Sequence, residues 1–87
     1  HNTPEIRIDT TEEKKVLIVE KVKEKFMDLP NIKINLIDGI RISFEDGWAL
    51  ARASNTQPVL VVRFESTTAA GLLRIQDSVM SVVNQYL

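Results

Sequence analysis

The sequence predicts a two-layer α+β sandwich: a four-stranded antiparallel sheet with two helices on one face, in the order β-α-β-β-β-α. Three observations predict it. Four short stretches alternate apolar and polar residues, the period of a half-buried strand. Two longer stretches repeat apolar residues every third or fourth position, the period of an amphipathic helix. Turn chemistry separates the last three strand-like stretches, which therefore form an antiparallel meander.

Glu5-Ile6-Arg7-Ile8-Asp9 alternates and places Ile6 and Ile8 on one face. Thr10-Thr11-Glu12-Glu13 fits a capping box, with Thr10 at the N-cap and Glu13 three residues later. A helix follows from about Glu12 to Met27, with Val16, Val19, Val22 and Phe26 as its apolar stripe, widened by Leu17 and Ile18. Lysines at 14, 15, 21, 23 and 25 read as its solvated surface, and the later ones suit its negative C-terminal end. Pro30 stops it. Asn31 to Ile37 is extended, either a linker or a short irregular strand.

Asp38-Gly39 is a turn signal. Ile40, Ile42 and Phe44 alternate with Arg41, Ser43 and Glu45, and Asp46-Gly47 then reverses the chain. Trp48, Leu50 and Arg52 share one face of the next strand, with Ala49, Ala51 and Ala53 on the other. In the last strand Leu60, Val62 and Phe64 oppose Val59, Val61, Arg63 and Glu65. Thr67 or Thr68 starts the final helix, whose apolar positions are Leu72, Ile75, Val79, Val82 or Val83, and Tyr86. Gly71 weakens its first turn. The helices are expected over Ile6, Ile8, Ile42, Phe44, Leu60, Val62 and Phe64. The other face, with Ala49, Ala51, Val59 and Val61, is expected to be partly exposed.

Residues 1–87 read as a single domain, with a core of modest stability at this size. The net charge of −1 provides no global field for nucleic acid or an anionic membrane. No basic patch interleaved with aromatics marks the sheet as a nucleic-acid platform. No apolar run approaches the ~20 residues that span a bilayer. The absence of cysteine excludes disulfides and thiolate metal sites, and points to a reducing, cytoplasmic setting. With His1 the sole histidine, a histidine-based triad has almost nothing to use. The carboxylates are scattered, and no pair among them has a catalytic reason to be there.

One loop concentrates polar donors. Arg52-Ala53-Ser54-Asn55-Thr56-Gln57-Pro58 packs a cation, two hydroxyls and an amide into five consecutive residues. Arg52 offers a planar fork that matches two oxygens of an anion at any working pH. Ser54 and Thr56 add hydroxyl donors and Asn55 an amide NH2. Successive backbone N–H groups in a tight turn can complete an anion nest. The same residues also suit a plain hairpin loop, and residue types alone do not choose between the two.

The loop and its surroundings resemble a known family. Asp38-Gly39-Ile40-Arg41, Asp46-Gly47-Trp48 and the run from Arg52 to Glu65 are similar to the C-terminal domain of the alpha-D-phosphohexomutases, phosphomannomutase/phosphoglucomutase branch. Thr3-Pro4-Glu5-Ile6 resembles the first strand of that domain. The loop with its flanking strand is specific, whereas the Asp-Gly turns alone are weak. The phosphoglucosamine mutases tend to have a Ser-Gly-Thr-Glu-Pro loop, so Asn55 and Gln57 favour the phosphomannomutase/phosphoglucomutase type.

The resemblance implies a TATA-box-binding-protein-like fold and a fourth domain of a larger enzyme. Such an enzyme moves a phosphoryl group between C1 and C6 of a hexose. By position, Arg52, Ser54, Asn55 and Thr56 are implied to bind the phosphate that is not transferred. The serine that carries the phosphoryl group and the aspartates that bind Mg2+ are implied to lie in other domains. Ser54 is thus a phosphate donor rather than a nucleophile. No catalytic residue and no cofactor is expected in this chain, and the isolated domain is expected to be inactive. The implied partners are a phosphosugar and the other domains of the parent enzyme. A different class of function, a non-catalytic interaction module that docks through the exposed sheet face, is the alternative.

Overall fold

The computed structural model describes residues 1–87. Strand β1 (Ile6–Asp9) leads to helix α1 (Glu12–Phe26). Strands β2 (Lys33–Asn35), β3 (Ile40–Phe44), β4 (Gly47–Ala53) and β5 (Val59–Ser66) follow, and helix α2 (Ala69–Tyr86) ends the fold. The sheet is antiparallel throughout, in the order β1-β5-β4-β3-β2. The α+β class and the two-layer arrangement are those the sequence predicts, but the sheet has five strands rather than four. The additional strand, β2, pairs Lys33, Ile34 and Asn35 with Ser43, Ile42 and Arg41. It is a three-residue edge with a single inward side chain, Ile34, too short for its alternation to stand out.

The register sorts the two sheet faces. Ile6, Val62, Ala51 and Ile40 form one row across the strands, and Phe64, Ala49, Ile42 and Ile34 form another. Both rows join Ile18, Val22 and Phe26 of α1 and Ile75, Val79, Val82 and Val83 of α2 in one core. Each fully buried aliphatic side chain contributes about 1.5–3 kcal/mol relative to exposure. Phe26 meets Phe44 edge-on, with centroids 5.7 Å apart.

The expectation for β4 is corrected here. Ala49 and Ala51 belong to the helix-covered face, and both are buried. Their small side chains let the two helices close down on the middle of the sheet. Trp48, Leu50 and Arg52 occupy the open face. Val59 and Val61 also lie on that face, yet both are buried. Val61 is flanked in register by Arg7 and Arg52, whose aliphatic stems are suited to covering it.

Helix α1 departs from the expectation at its start and on its buried side. Its N-cap is Thr11, whose Oγ1 accepts the Lys14 N–H at 3.1 Å. Thr10 is occupied otherwise: its N–H donates to the Pro58 carbonyl at 2.9 Å, which extends the β1–β5 ladder by one residue. The buried stripe is Lys15, Ile18, Val22 and Phe26. Val16 and Leu17, read as apolar-stripe residues, are exposed. Helix α2 is capped by Thr68, which accepts from the Gly71 N–H at 2.9 Å.

The start of α2 is tied to the β3–β4 turn through Asp46. The Asp46 carbonyl accepts from the buried Ser66 hydroxyl at 2.8 Å and from the Thr67 N–H at 2.9 Å. Gly71 is read from the sequence as a weak first-turn residue, and its packing gives the reason for it. A Cβ there would lie 2.4 Å from Ser66 Oγ and 2.6 Å from Asp46 Oδ2. The Asp46 carboxylate pairs with the Arg74 guanidinium across this junction. That hydrogen bond, with the charge of Arg74, holds the Asp46 carboxyl below the usual carboxylate range.

A pH dependence follows. A carboxyl with a depressed folded-state pKa adds stability above its unfolded pKa and loses it as pH falls through the lower folded value. Arg74→Gln should therefore be less stable than the parent near neutral pH. The two should converge as pH falls through the depressed folded-state pKa of Asp46, where the carboxyl is protonated in both. Urea unfolding across this range is the measurement, and a gap that stays constant with pH would contradict the assignment.

Candidate anion site

The polar loop is Ser54–Pro58, which joins β4 to β5 at one end of the sheet. Its base is closed by the Ser54 N–H donating to the Val59 carbonyl at 2.9 Å. The Val59 N–H donates to the Gln57 carbonyl at 2.8 Å, a tight turn around Pro58, whose ring fixes φ. The Thr56 N–H approaches Ser54 Oγ at 3.4 Å.

Three residues outside the loop hold it. From β1, Arg7 Nη2 donates to Gln57 Oε1 at 2.7 Å. At the end of β1, the Thr10 N–H binds the Pro58 carbonyl. From α1, Lys15 Nζ donates to the Ser54 carbonyl at 2.6 Å and the Gln57 carbonyl at 3.1 Å. Lys15 Nζ also pairs with Glu12 Oε2 at 2.7 Å, and the residue is only 6% exposed. Sequence reasoning places Lys15 on the solvated surface and gives it no role. The available signal was its spacing, three residues before Ile18 and seven before Val22, on the face the fold buries.

The residues singled out from the sequence gather at a cleft of about 560 Å³. Arg52, Ser54 and Asn55 line it, together with Arg7, Asp38, Gly39 and Glu20. Thr56 lies on the same loop, is exposed, and stands outside the cleft wall. Two arginines and two carboxylates thus face the same space, so their formal charges cancel. The cleft offers an anion directed donors rather than a net field. Arg52 has one loose partner, Glu5 Oε1 at 3.8 Å, and both side chains are nearly half exposed. Such a pair contributes little and exchanges readily for a ligand oxygen.

Comparison with known proteins identifies the chain. Residues 5–82 match the family described as phosphoglucomutase/phosphomannomutase, C-terminal domain. The chain belongs to that family. It is similar to a phosphomannomutase/phosphoglucomutase of Pseudomonas putida, 46% identical over 76 residues, which covers 87% of this chain and 16% of that protein. It is also similar to a phosphoglucomutase of Neisseria gonorrhoeae, 40% identical over 83 residues, covering 94% and 18%. In three dimensions it resembles a phosphoglucomutase/phosphomannomutase family protein of Burkholderia thailandensis, with a TM-score of 0.76 and 36% identity, covering 99% of this chain and 18% of that one. The chain therefore spans under a fifth of the length of these relatives.

The rest of this phosphoglucomutase/phosphomannomutase C-terminal domain offers little other chemistry. No group of three or more His, Asp or Glu side chains is placed to hold a metal ion. The family's Mg2+ thus finds no fitting donor set in this chain, and nothing in the chemistry below passes through it. No helix is long and apolar enough to cross a membrane. On the open sheet face, Arg41 stacks 4.5 Å from the Trp48 ring centroid, and Arg63 lies 5.9 Å from it. The Trp48 Nε1–H donates to Glu65 Oε2 at 3.0 Å.

Gly39 ties the Asp38-Gly39 turn to the site. Its φ is +103°, and a Cβ there would lie 2.6 Å from the Ala51 carbonyl oxygen and 3.1 Å from Arg52 Cβ. Gly39→Ala should destabilise the fold by about 1–3 kcal/mol, from the strained φ and the backbone clash together. It should also displace the Arg52 and Ser54 amide resonances. A fully stable variant with an unmoved Arg52 amide would refute this link.

Proposed function

We propose that this chain is the phosphate-gripping C-terminal domain of a larger phosphohexomutase of the phosphomannomutase/phosphoglucomutase type. Such an enzyme interconverts hexose 1-phosphates and 6-phosphates. In this reading Arg52, Ser54, Asn55 and Thr56 hold the phosphate that is not being transferred. The observation that carries it is the convergence of Arg52, Ser54 and Asn55 on one cleft, with the Arg52 fork held only by a loose partner.

The chemistry follows from the donors. Arg52 spans two phosphate oxygens, and the hydroxyl and amide groups of the loop take the remaining oxygen positions. A bisphosphorylated hexose presents a phosphate at either end, so a site that reads phosphate alone accepts both orientations of the sugar. Binding energy gained at this phosphate positions the reacting one, which lowers the barrier at a distance from the loop. The chain supplies no acid, base, nucleophile or metal site for the transfer itself, and those belong to the remainder of the parent enzyme along with its Mg2+. The open sheet face, with Trp48 and Leu50 half-buried among Arg41, Arg52 and Arg63, is suited to meet the other domains. A cytoplasmic setting accords with phosphosugar chemistry.

The reading is tested by amide NMR titration of the chain with glucose 1-phosphate or mannose 1-phosphate, against chloride-matched controls. Shifts should centre on Arg52 through Thr56, at millimolar affinity, and Arg52→Ala should abolish them. Shifts spread over the lysines of α1 would reduce the interaction to non-specific anion binding. Mutase turnover by the chain alone would overturn the non-catalytic assignment.

A further inference from the structure

The loop's donors are exposed and polar, yet the element that fixes its backbone is a buried cation on the neighbouring helix. We infer that Lys15 is the positioning residue of the phosphate loop, acting through the Ser54 and Gln57 carbonyls. This inference rests on the phosphate reading of that loop.

The geometry separates positioning from contact. An ammonium carries three protons, and Lys15 Nζ has three acceptors: Ser54 O at 2.6 Å, Gln57 O at 3.1 Å and Glu12 Oε2 at 2.7 Å. No proton is left over for a ligand. Glu12 balances the charge within one turn of helix. The side chain is 8% exposed, so the pair with Glu12 is shielded from water on the lysine side.

What Lys15 does to the loop follows from peptide planarity. In a trans peptide the C=O and the next N–H point in opposite directions, and the chain has no cis bond. Drawing the Ser54 carbonyl toward Lys15 therefore turns the Asn55 N–H away from it. The Asn55 N–H has no hydrogen-bond partner in the fold, and Asn55 lines the cleft. The capture at Gln57 fixes the other end of the loop, where residue 58 is a proline and has no N–H to present. Lys15 thereby sets which way the loop's one free cleft-lining amide points. It also holds the span between its two captured carbonyls, Ser54 to Gln57, at a fixed opening.

The test uses the whole chain with inorganic phosphate as the probe. In the unmodified protein, phosphate should shift the amides of Arg52 to Thr56. It should also move the Lys15 ammonium resonance, through the shared carbonyls. Lys15→Met keeps the aliphatic stem and removes the donors. It should shift or broaden the Ser54–Gln57 amides before any phosphate is added, with core methyl signals in place. It should weaken phosphate binding about tenfold, the equivalent of one well-placed hydrogen bond. Lys15→Arg should recover part of the loss. Should Lys15→Met fail to fold, Glu12→Gln loosens the same ammonium and should shift the same loop amides in the same direction.

The outcomes are distinct. No response of the unmodified loop to phosphate defeats the phosphate reading, and this inference with it. A responsive loop with an unmoved Lys15 ammonium defeats the inference alone. So does unchanged phosphate affinity in a folded Lys15→Met.

Discussion

The period-two alternation of β5 is the constraint from which the other elements take their places. β5 lies between β1 and β4, and its eight residues divide cleanly. Leu60, Val62 and Phe64 face the helices, while Val59, Val61, Arg63 and Glu65 face the open side. Cross-strand register carries that division outward. Val62 fixes Ala51 and Ile6 on the helix side, and Val61 fixes Arg52 and Arg7 on the open side. A one-residue slip would expose Phe64 and drive Arg52 under the helices. Burial of Phe64, Val62 and Leu60, each 0% exposed, makes that slip prohibitive. The position of the arginine beside the loop is thus a consequence of hydrophobic burial several residues away.

Most of this architecture is legible in the sequence because it is periodic. The strand from Val59, the helix from Thr68 and the β3–β4 reversal at Asp46-Gly47 all follow from local pattern and turn chemistry. The assignment fails where pattern is ambiguous. In β4, alternation puts tryptophan and leucine on one face and alanines on the other, and larger apolar residues are the ordinary choice for a core. Packing decides otherwise, because two helices crossing the sheet centre need small residues beneath them, as Ala49 and Ala51 provide. β2 is left open between a linker and a short strand for a different reason. Its strand character comes almost wholly from pairing with β3, a non-local property. The N-cap moves from Thr10 to Thr11 because the Pro58 carbonyl, 48 positions along the chain, takes the Thr10 N–H.

The candidate site divides along the same line. The residues it was read from lie within five positions of one another, so a local reading finds Arg52, Ser54, Asn55 and Thr56 together. Its supports are distant in sequence: Arg7 from β1, Lys15 from α1, Gly39 from the turn before β3. Lys15 is the instructive case. In a run with Lys14, and with three more lysines further along the helix, it has the composition of solvent-facing surface. Only the phase of Ile18, Val22 and Phe26 assigns it inward, and the competing stripe through Val16 and Val19 obscures that phase.

The separation between supports and donors has an energetic rationale. Ordering backbone costs about 1–2 kcal/mol per residue. A loop left free would meet that cost when the ligand arrives, and affinity would fall accordingly. Here the five residues from Ser54 to Pro58 are fixed in the folded chain by Lys15, by Arg7 on Gln57 and by Thr10 on Pro58. The hydrophobic core that anchors α1 and β1 thereby supplies the ordering. Arg52 is treated differently. Its partner Glu5 is loose and exposed at 3.8 Å, so little is lost when the guanidinium turns to an anion. Tight bonds go to the groups that shape the loop, and a weak one to the Arg52 guanidinium.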